Sequence, residues 1–158
     1  MTFVVRAMAE KDVASCVSIL NHIIALGGST AHEEPLSLAE LRAKYLDDPP
    51  ISNVVEMEGR IVGFQAAFDV GGGEYSIASF TDRRIPIKGA GRALFEKTLA
   101  DCRAQGGIAI LAKITSDNSG GLRFYSRLGF QECCVIPNDH RRKDGAMVDR
   151  VVKRFSLV

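Results

Sequence analysis

Apolar residues recur along this chain with two different periods, and each change of period marks a new element. Val13, Cys16, Val17, Leu20, Ile23 and Ile24 keep the three-and-four spacing of one helical face. That spacing predicts a helix over residues 11–26, after a short strand at 4–8 and before a stop at Gly27 and Gly28. Ser37 stands three residues ahead of Glu40, a pair in which each side chain can satisfy a free backbone N–H of the other. A second helix is expected there, burying Leu38, Leu41, Tyr45 and Leu46 and ending at Pro49 and Pro50.

From residue 51 the period shortens to two. Residues 51–57 and 60–68 read as strands joined by Glu58 and Gly59, where glycine supplies the positive φ of a tight hairpin. Gly71, Gly72 and Gly73 form the next turn, and residues 74–81 a third strand. A helix follows the Gly89 turn, with Leu94, Phe95, Thr98, Leu99 and Cys102 inward and Gly106 and Gly107 closing it. An apolar strand at 108–114, a short helix at 118–128 that stops at Gly129, and strands at 130–136 and 147–157 complete the chain. This order predicts an α/β fold, a mixed sheet covered by helices on both faces. A helical crossover separates residues 74–81 from 108–114, so these strands should be parallel, with the Gly89 turn at the carboxyl end where ligands gather in open sheets.

With 158 residues, 46% of them hydrophobic and 25% charged, the chain suits one domain spanning 1–158. Its N-terminus lacks a basic region followed by an apolar run, and Ser15, Ser18, Asn21 and His22 interrupt the most apolar window, so neither a signal peptide nor a membrane span is expected. Cys16, Cys102, Cys133 and Cys134 show no C-x-x-C spacing, and Cys133 and Cys134 would face opposite sides of a strand. Reduced thiols in a cytoplasmic protein are expected. His22 and His140 make no metal-ligand spacing and read as structural or surface groups, so no metal is expected.

Charge divides the chain in two. Residues 1–81 carry five Lys/Arg against eleven Asp/Glu, and residues 82–158 carry fifteen against eight. A basic half suits a polyanionic ligand, while the lack of a Lys/Arg run interleaved with aromatics argues against nucleic acid. Lys88, Gly89, Ala90, Gly91 and Arg92 sharpen this expectation. Gly89 and Gly91 let a diphosphate approach the main chain, the first helical turn leaves N–H groups free, and Lys88 and Arg92 add charge. A nucleotide P-loop is excluded because the Gly-Lys-Ser/Thr ending is missing, and Leu94 occupies the third-glycine position of a dinucleotide fingerprint.

The run Pro86, Ile87, Lys88, Gly89, Ala90, Gly91 resembles the Arg/Gln-x-x-Gly-x-Gly/Ala motif of the GNAT superfamily of N-acetyltransferases, with Pro86 in place of the first residue. Pro86 removes a side-chain contact and a backbone donor. The stretch from Asn118 through Gly121, Tyr125, Gly129 and Phe130 is similar to that family's N-x-x-x-x-x-x-Y/H-x-x-x-G-F signature. The resemblance implies a twisted, mostly antiparallel sheet of about seven strands and acetyl-CoA as cosubstrate. It also implies that Asn118 and Gly121 contact the coenzyme and that Tyr125 lies near its sulfur. Asn21-His22, the segment from Thr30 to Pro35, and Gly145 to Asp149 further resemble the phosphinothricin acetyltransferase-like branch. Met147 replaces a tryptophan, Ala31 stands where an aromatic is common, and the connection at 69–73 is short, so a phosphinothricin-like substrate is not implied.

Direct transfer from a thioester requires an uncharged amine and a stabilised thiolate. A phenol near pKa 10 can donate to a thiolate whose conjugate acid lies near 8.5, which makes Tyr125 the expected acid. Strand N–H groups around Phe80 and Thr81 are expected to hold the pantetheine arm and polarise the carbonyl, and Ile87, where a glycine is frequent in the family, is expected to bind the coenzyme with the rest of the loop. Glu74 is the candidate base because it shares a strand face with Ser76, where the family base usually falls. His32, Glu33 and Glu34 are rivals on the loop before the second helix. The expected activity is acetyl transfer to a small amine, an amino acid or analogue. A non-catalytic acyl-CoA sensor is the alternative, and a dinucleotide-dependent oxidoreductase is disfavoured by the antiparallel meander. Dimers are common among resembling proteins, so a homodimer is compatible with the resemblance.

Overall fold

The computed structural model describes residues 2–85 and 87–158, so the expectation attached to Pro86 lies outside the described residues. Seven strands form one sheet: β1 (Phe3–Ala7), β2 (Ile51–Met57), β3 (Arg60–Gly71), β4 (Glu74–Thr81), β5 (Ala109–Thr115), β6 (Gln131–Arg141) and β7 (Met147–Ser156). Their spatial order is β1-β2-β3-β4-β5-β7-β6, and every pairing except β4 with β5 is antiparallel.

Helices α1 (Val13–Leu26) and α2 (Leu38–Leu41) cover one face, where Leu20, Ile23, Leu41 and Tyr45 pack with Phe64, Ala66 and Phe80. Helices α3 (Ala90–Ala104) and α4 (Ser119–Leu128) cover the other, where Phe95, Cys102, Tyr125 and Leu128 meet Tyr75, Ile77, Ile110 and Phe130. A 3₁₀ turn at Glu10–Asp12 precedes α1, so the α-helix begins two residues later than the apolar spacing suggests. The expected capping box is present, with the Glu40 amide donating to Ser37 Oγ at 3.1 Å and the Ser37 amide to Glu40 Oε1 at 3.0 Å. Beyond it the backbone widens into a π-helix, Arg42–Asp47, which swings Tyr45 into the core at 2% exposure.

Glu58 and Gly59 both take positive φ, 55° and 77°, as the tight hairpin between β2 and β3 requires. Strand β6 runs five residues past the expected end at 136, and it does so through irregular pairing. Glu132 faces Lys153 and Cys134 faces Val152, which leaves Cys133 as an extra residue in the ladder. The two cysteines therefore sit at a bulge, and the simple strand alternation expected of them does not hold.

Strands β4 and β5 pair at only three positions, Glu74 with Ala109, Tyr75 with Ile110 and Ser76 with Leu111. Past Ser76 they splay apart and open the sheet towards the start of α3. This divergence positions the candidate site.

Candidate active site

A cavity of about 1050 Å³ fills the gap between β4 and β5 and reaches the Gly89 turn, one side of α4 from Gly120 to Leu128 and the loop between α1 and α2. The Asp82 amide donates to the Val62 carbonyl of β3 at 2.8 Å, and the β3–β4 register is unbroken from Thr81 to Ser76. Strand amides alternate sides, so Phe80 and Ala78 face β3, the Ile77 amide still serves the Ser76–Leu111 pair with β5, and Ser79 and Thr81 direct their amides into the gap. Of the expected pair, Thr81 therefore presents its backbone to the cavity. Phe80 presents its ring, which packs at a tilt against Phe64 at 5.1 Å and meets Tyr45 edge-on at 5.8 Å.

Gly89 caps α3 with φ 90°, a left-handed conformation that disfavours any side chain. Among the described residues no protein group accepts from the amides of Lys88, Gly89, Ala90, Gly91 or Arg92, while Ala93 closes the first turn onto Gly89 O at 2.9 Å. Ile87, Lys88, Gly89, Gly91 and Arg92 line the cavity. Ala90 does not, because its methyl is 1% exposed and packs with Val55, Val62 and Leu94. Gly91 has a second reason to lack a side chain: a Cβ there would meet Phe124 Cε1 at 2.7 Å, so the glycine lets α4 approach α3. Arg92 reaches across to Arg127 O at 3.2 Å. Seven Lys or Arg line the cavity against one acid, Asp48, a balance that favours an anionic ligand.

Asn118 caps α4, its Oδ1 accepting from the Gly121 amide at 2.9 Å while Nδ2 donates to Ser29 O at 3.2 Å. A Cβ on Gly121 would lie 2.5 Å from Asn118 Nδ2, so this cap requires glycine at that position. Tyr125 sits on the next turns of α4, 8% exposed, with Phe124 and Phe130 edge-on at 5.0 and 5.1 Å. Its ring lines the cavity, and its hydroxyl has no hydrogen-bond partner among the described residues. Burial holds this phenol well above its ordinary pKa, so it stays protonated and able to donate.

Glu74 is not brought to the cavity. It lies where β4 and β5 still pair, before the strands diverge, and its carboxylate is 3.6 Å from Arg154 Nε on β7. Sharing a strand face with Ser76 did not place it at the site, because Ser76 stands two residues closer to the opening.

The loop between α1 and α2 separates its three polar candidates. Glu33 is engaged by Arg142 Nη1 at 2.9 Å, His140 Nε2 at 2.8 Å and the Lys143 amide at 2.8 Å. Glu34 pairs with Lys143 at the surface, 3.2 Å away. His32 alone lines the cavity, with Nε2 2.6 Å from the Tyr45 hydroxyl. Burial first, and Lys44 second, hold its imidazole below its ordinary pKa, so it is neutral near pH 7.

Sequence reasoning missed Arg142, which is 9% exposed. It donates to Asp117, Thr115, Glu33 and the Thr30 carbonyl, and so ties the cavity wall to the end of β5. The only available signal was an arginine within a basic turn.

Among the described residues no cluster of three His, Cys, Asp or Glu side chains could hold a metal, and no helix is long and apolar enough to cross a membrane. No curated protein sequence matches the chain significantly. Its fold is similar over 100% of this chain to an N-acetyltransferase from Staphylococcus aureus Mu50, covering 100% of that chain at TM-score 0.89 and 16% identity. A putative acetyltransferase from Salmonella typhimurium, solved with its cofactor acetyl-CoA, matches at TM-score 0.88 and 19% identity, covering 100% of this chain and 95% of that one. A GNAT superfamily phosphinothricin acetyltransferase from Sinorhizobium meliloti, in complex with AcCoA, matches at TM-score 0.87 and 20% identity over 99% of this chain and 89% of its own. The model of the acetyltransferase (GNAT) family matches residues 18–130, well over half of the chain, and the chain belongs to that family.

Proposed function

We propose that the protein is an acetyl-CoA-dependent N-acetyltransferase acting as one domain over residues 1–158, with a small amine, an amino acid or analogue, as acceptor. The observation that carries this reading is the row of amides at Ser79 and Thr81, beyond the last β4–β5 pair, that continues at the first turn of α3, none of them with an acceptor among the described residues. A pantetheine arm has the amide groups to extend β4 as a strand would, and its diphosphate would meet the free N–H groups of residues 88–92 with Lys88 and Arg92 beside them. The coenzyme-bound structures from Salmonella typhimurium and Sinorhizobium meliloti share this fold and support the choice of ligand.

In this arrangement the amine attacks the thioester carbonyl, whose developing oxyanion is stabilised by a β4 amide. The carbon–sulfur bond breaks, and the thiolate takes the proton of Tyr125. Asn118 acts mainly by shaping the turn that presents Gly121 and Tyr125. The phosphinothricin acetyltransferase-like branch is supported by the Sinorhizobium meliloti likeness and by the sequence motifs at Asn21-His22 and Gly145 to Asp149. The cavity's basic lining suits an acceptor that carries a carboxylate.

Calorimetry with acetyl-CoA, followed by thiol release over a panel of amines, tests the reading. Saturable binding with thiol release for at least one amine is expected. Absence of binding at millimolar coenzyme overturns it, and binding without release for any amine favours a coenzyme sensor.

A further inference from the structure

A second phenol lines the cavity from the face opposite Tyr125. Tyr45 belongs to the α1/α2 core and Tyr125 to the α3/α4 core, so the two approach the gap between β4 and β5 from different sides of the sheet. The Tyr45 ring is fixed by edge-on contacts with Phe64, Phe68 and Phe80 at 5.5, 6.0 and 5.8 Å. Among the described residues its hydroxyl has one partner, His32 Nε2, and a buried phenol proton needs an acceptor. Tyr45 therefore donates to a neutral His32, which leaves the lone pairs of its own oxygen to accept.

We propose that Tyr45 and His32 form the proton relay on the acceptor side of the transfer, a reading that rests on the proposed N-acetyltransferase activity. The nucleophile enters the acyl carbon across one face of the plane that contains the sulfur, so the amine's proton can leave to a group other than the one that serves the sulfur. Tyr125 serves the sulfur, and Tyr45 stands on the other face. As the lone pair of the neutral amine bonds to the acyl carbon, the nitrogen becomes cationic and its N–H acidic. That proton moves to the Tyr45 oxygen while the Tyr45 proton moves to His32 Nε2, so the phenol ends neutral and the imidazole charged. The carbon–sulfur bond then breaks, the electron pair leaves on sulfur, and Tyr125 protonates it. Water in the cavity takes the proton from His32 and returns one to Tyr125.

The charges around the relay fit this use. Lys44 and Asp48 flank Tyr45 on the same helical turn, Arg83, Lys113 and Arg150 line the cavity further off, and Glu33 beside His32 is engaged by Arg142 and His140. Burial first, and the Lys44 charge second, keep His32 unprotonated, so its Nε2 lone pair is free for the Tyr45 proton and releases it readily afterwards. Activity should accordingly fall as the pH drops and His32 becomes protonated before substrate arrives.

Thiol-release kinetics on a responsive amine, with wild type, His32→Asn and Tyr45→Phe, decide the matter. Each variant should lose about a hundredfold or more in kcat, and His32→Asn should also lose the acidic limb of the pH profile. Coenzyme affinity by calorimetry and Tm should stay at wild-type values. A His32→Asn enzyme within about threefold of wild type, an unchanged acidic limb, or a loss accompanied by a lower Tm or weaker coenzyme binding overturns the relay. If wild type itself acetylates no amine, the activity reading fails and takes the relay with it. If wild type is active and the variants match it, the relay alone fails.

Discussion

The guanidinium of Arg142 grips Asp117 through two nitrogens, Nε at 2.9 Å and Nη2 at 2.6 Å. The same group holds Glu33 and the Thr30 carbonyl, so one buried cation joins the α1–α2 loop, the end of β5 and the turn between β6 and β7. Replacement by Met would leave two carboxylates without their shared partner. Asp117 is 37% exposed and partly screened, so the expected cost is roughly 2–3 kcal/mol, less than for a fully buried pair. Urea denaturation of Arg142→Met measures it.

The same pair sets a pH dependence. Hydrogen bonding from Arg142 holds the Asp117 carboxyl below its ordinary value of 3.8. A carboxyl depressed in the folded state stabilises it fully above the ordinary value, and this contribution is lost as the pH falls through the lower folded one. Urea midpoints of wild type and Arg142→Met should therefore differ most at neutral pH and converge below 3.8.

Tyr125→Phe keeps the ring between Phe124 and Phe130 and removes only the hydroxyl. We expect kcat for acetyl transfer to fall at least about a hundredfold, the usual range for a general acid, with coenzyme affinity unchanged. Thiol release and calorimetry on the same preparation separate the two effects.

Gly91→Ala should act through Phe124, whose ring lies 2.7 Å from the new methyl. Forcing α4 away from α3 costs about 1–3 kcal/mol and displaces Tyr125, so Tm and kcat should fall together. A variant with wild-type Tm would show that the ring moves aside freely.

Asn118→Ala removes the α4 cap and the bond to Ser29, at a cost of about 1 kcal/mol. Asn118→Asp keeps an acceptor for the Gly121 amide and loses the donor to Ser29. It should recover most of the stability in thermal melts, and any remaining loss reports the tether.

Features written in neighbouring residues were legible from the sequence. The Ser37 and Glu40 cap, the Glu58-Gly59 turn, the Gly129 stop and the free amides after Lys88 each depend on residues within a few positions of one another. What escaped depends on contacts across the chain. Arg142 meets Glu33 across 109 residues, so no local spacing announces it. The π-helix that aims Tyr45 at His32 follows from packing, because nothing in Arg42–Asp47 forbids an ordinary α-helix. Strand parity puts Glu74 on the face of Ser76, but it fixes only the face of a side chain and not its distance along the strand from the opening. The extension of β6 through Pro137 is tolerable because β6 is the sheet's edge strand, and edge position is itself a product of topology.

The divergence of β4 from β5 leaves the middle of the sheet with hydrogen-bonding capacity that the chain does not use. Solvent deuterium should reach Ser79 and Thr81 early, while their even-numbered neighbours, locked to β3, remain protected. A ligand that lies along this seam supplies the missing rung, and the protein should stiffen from its centre outward as the seam is filled.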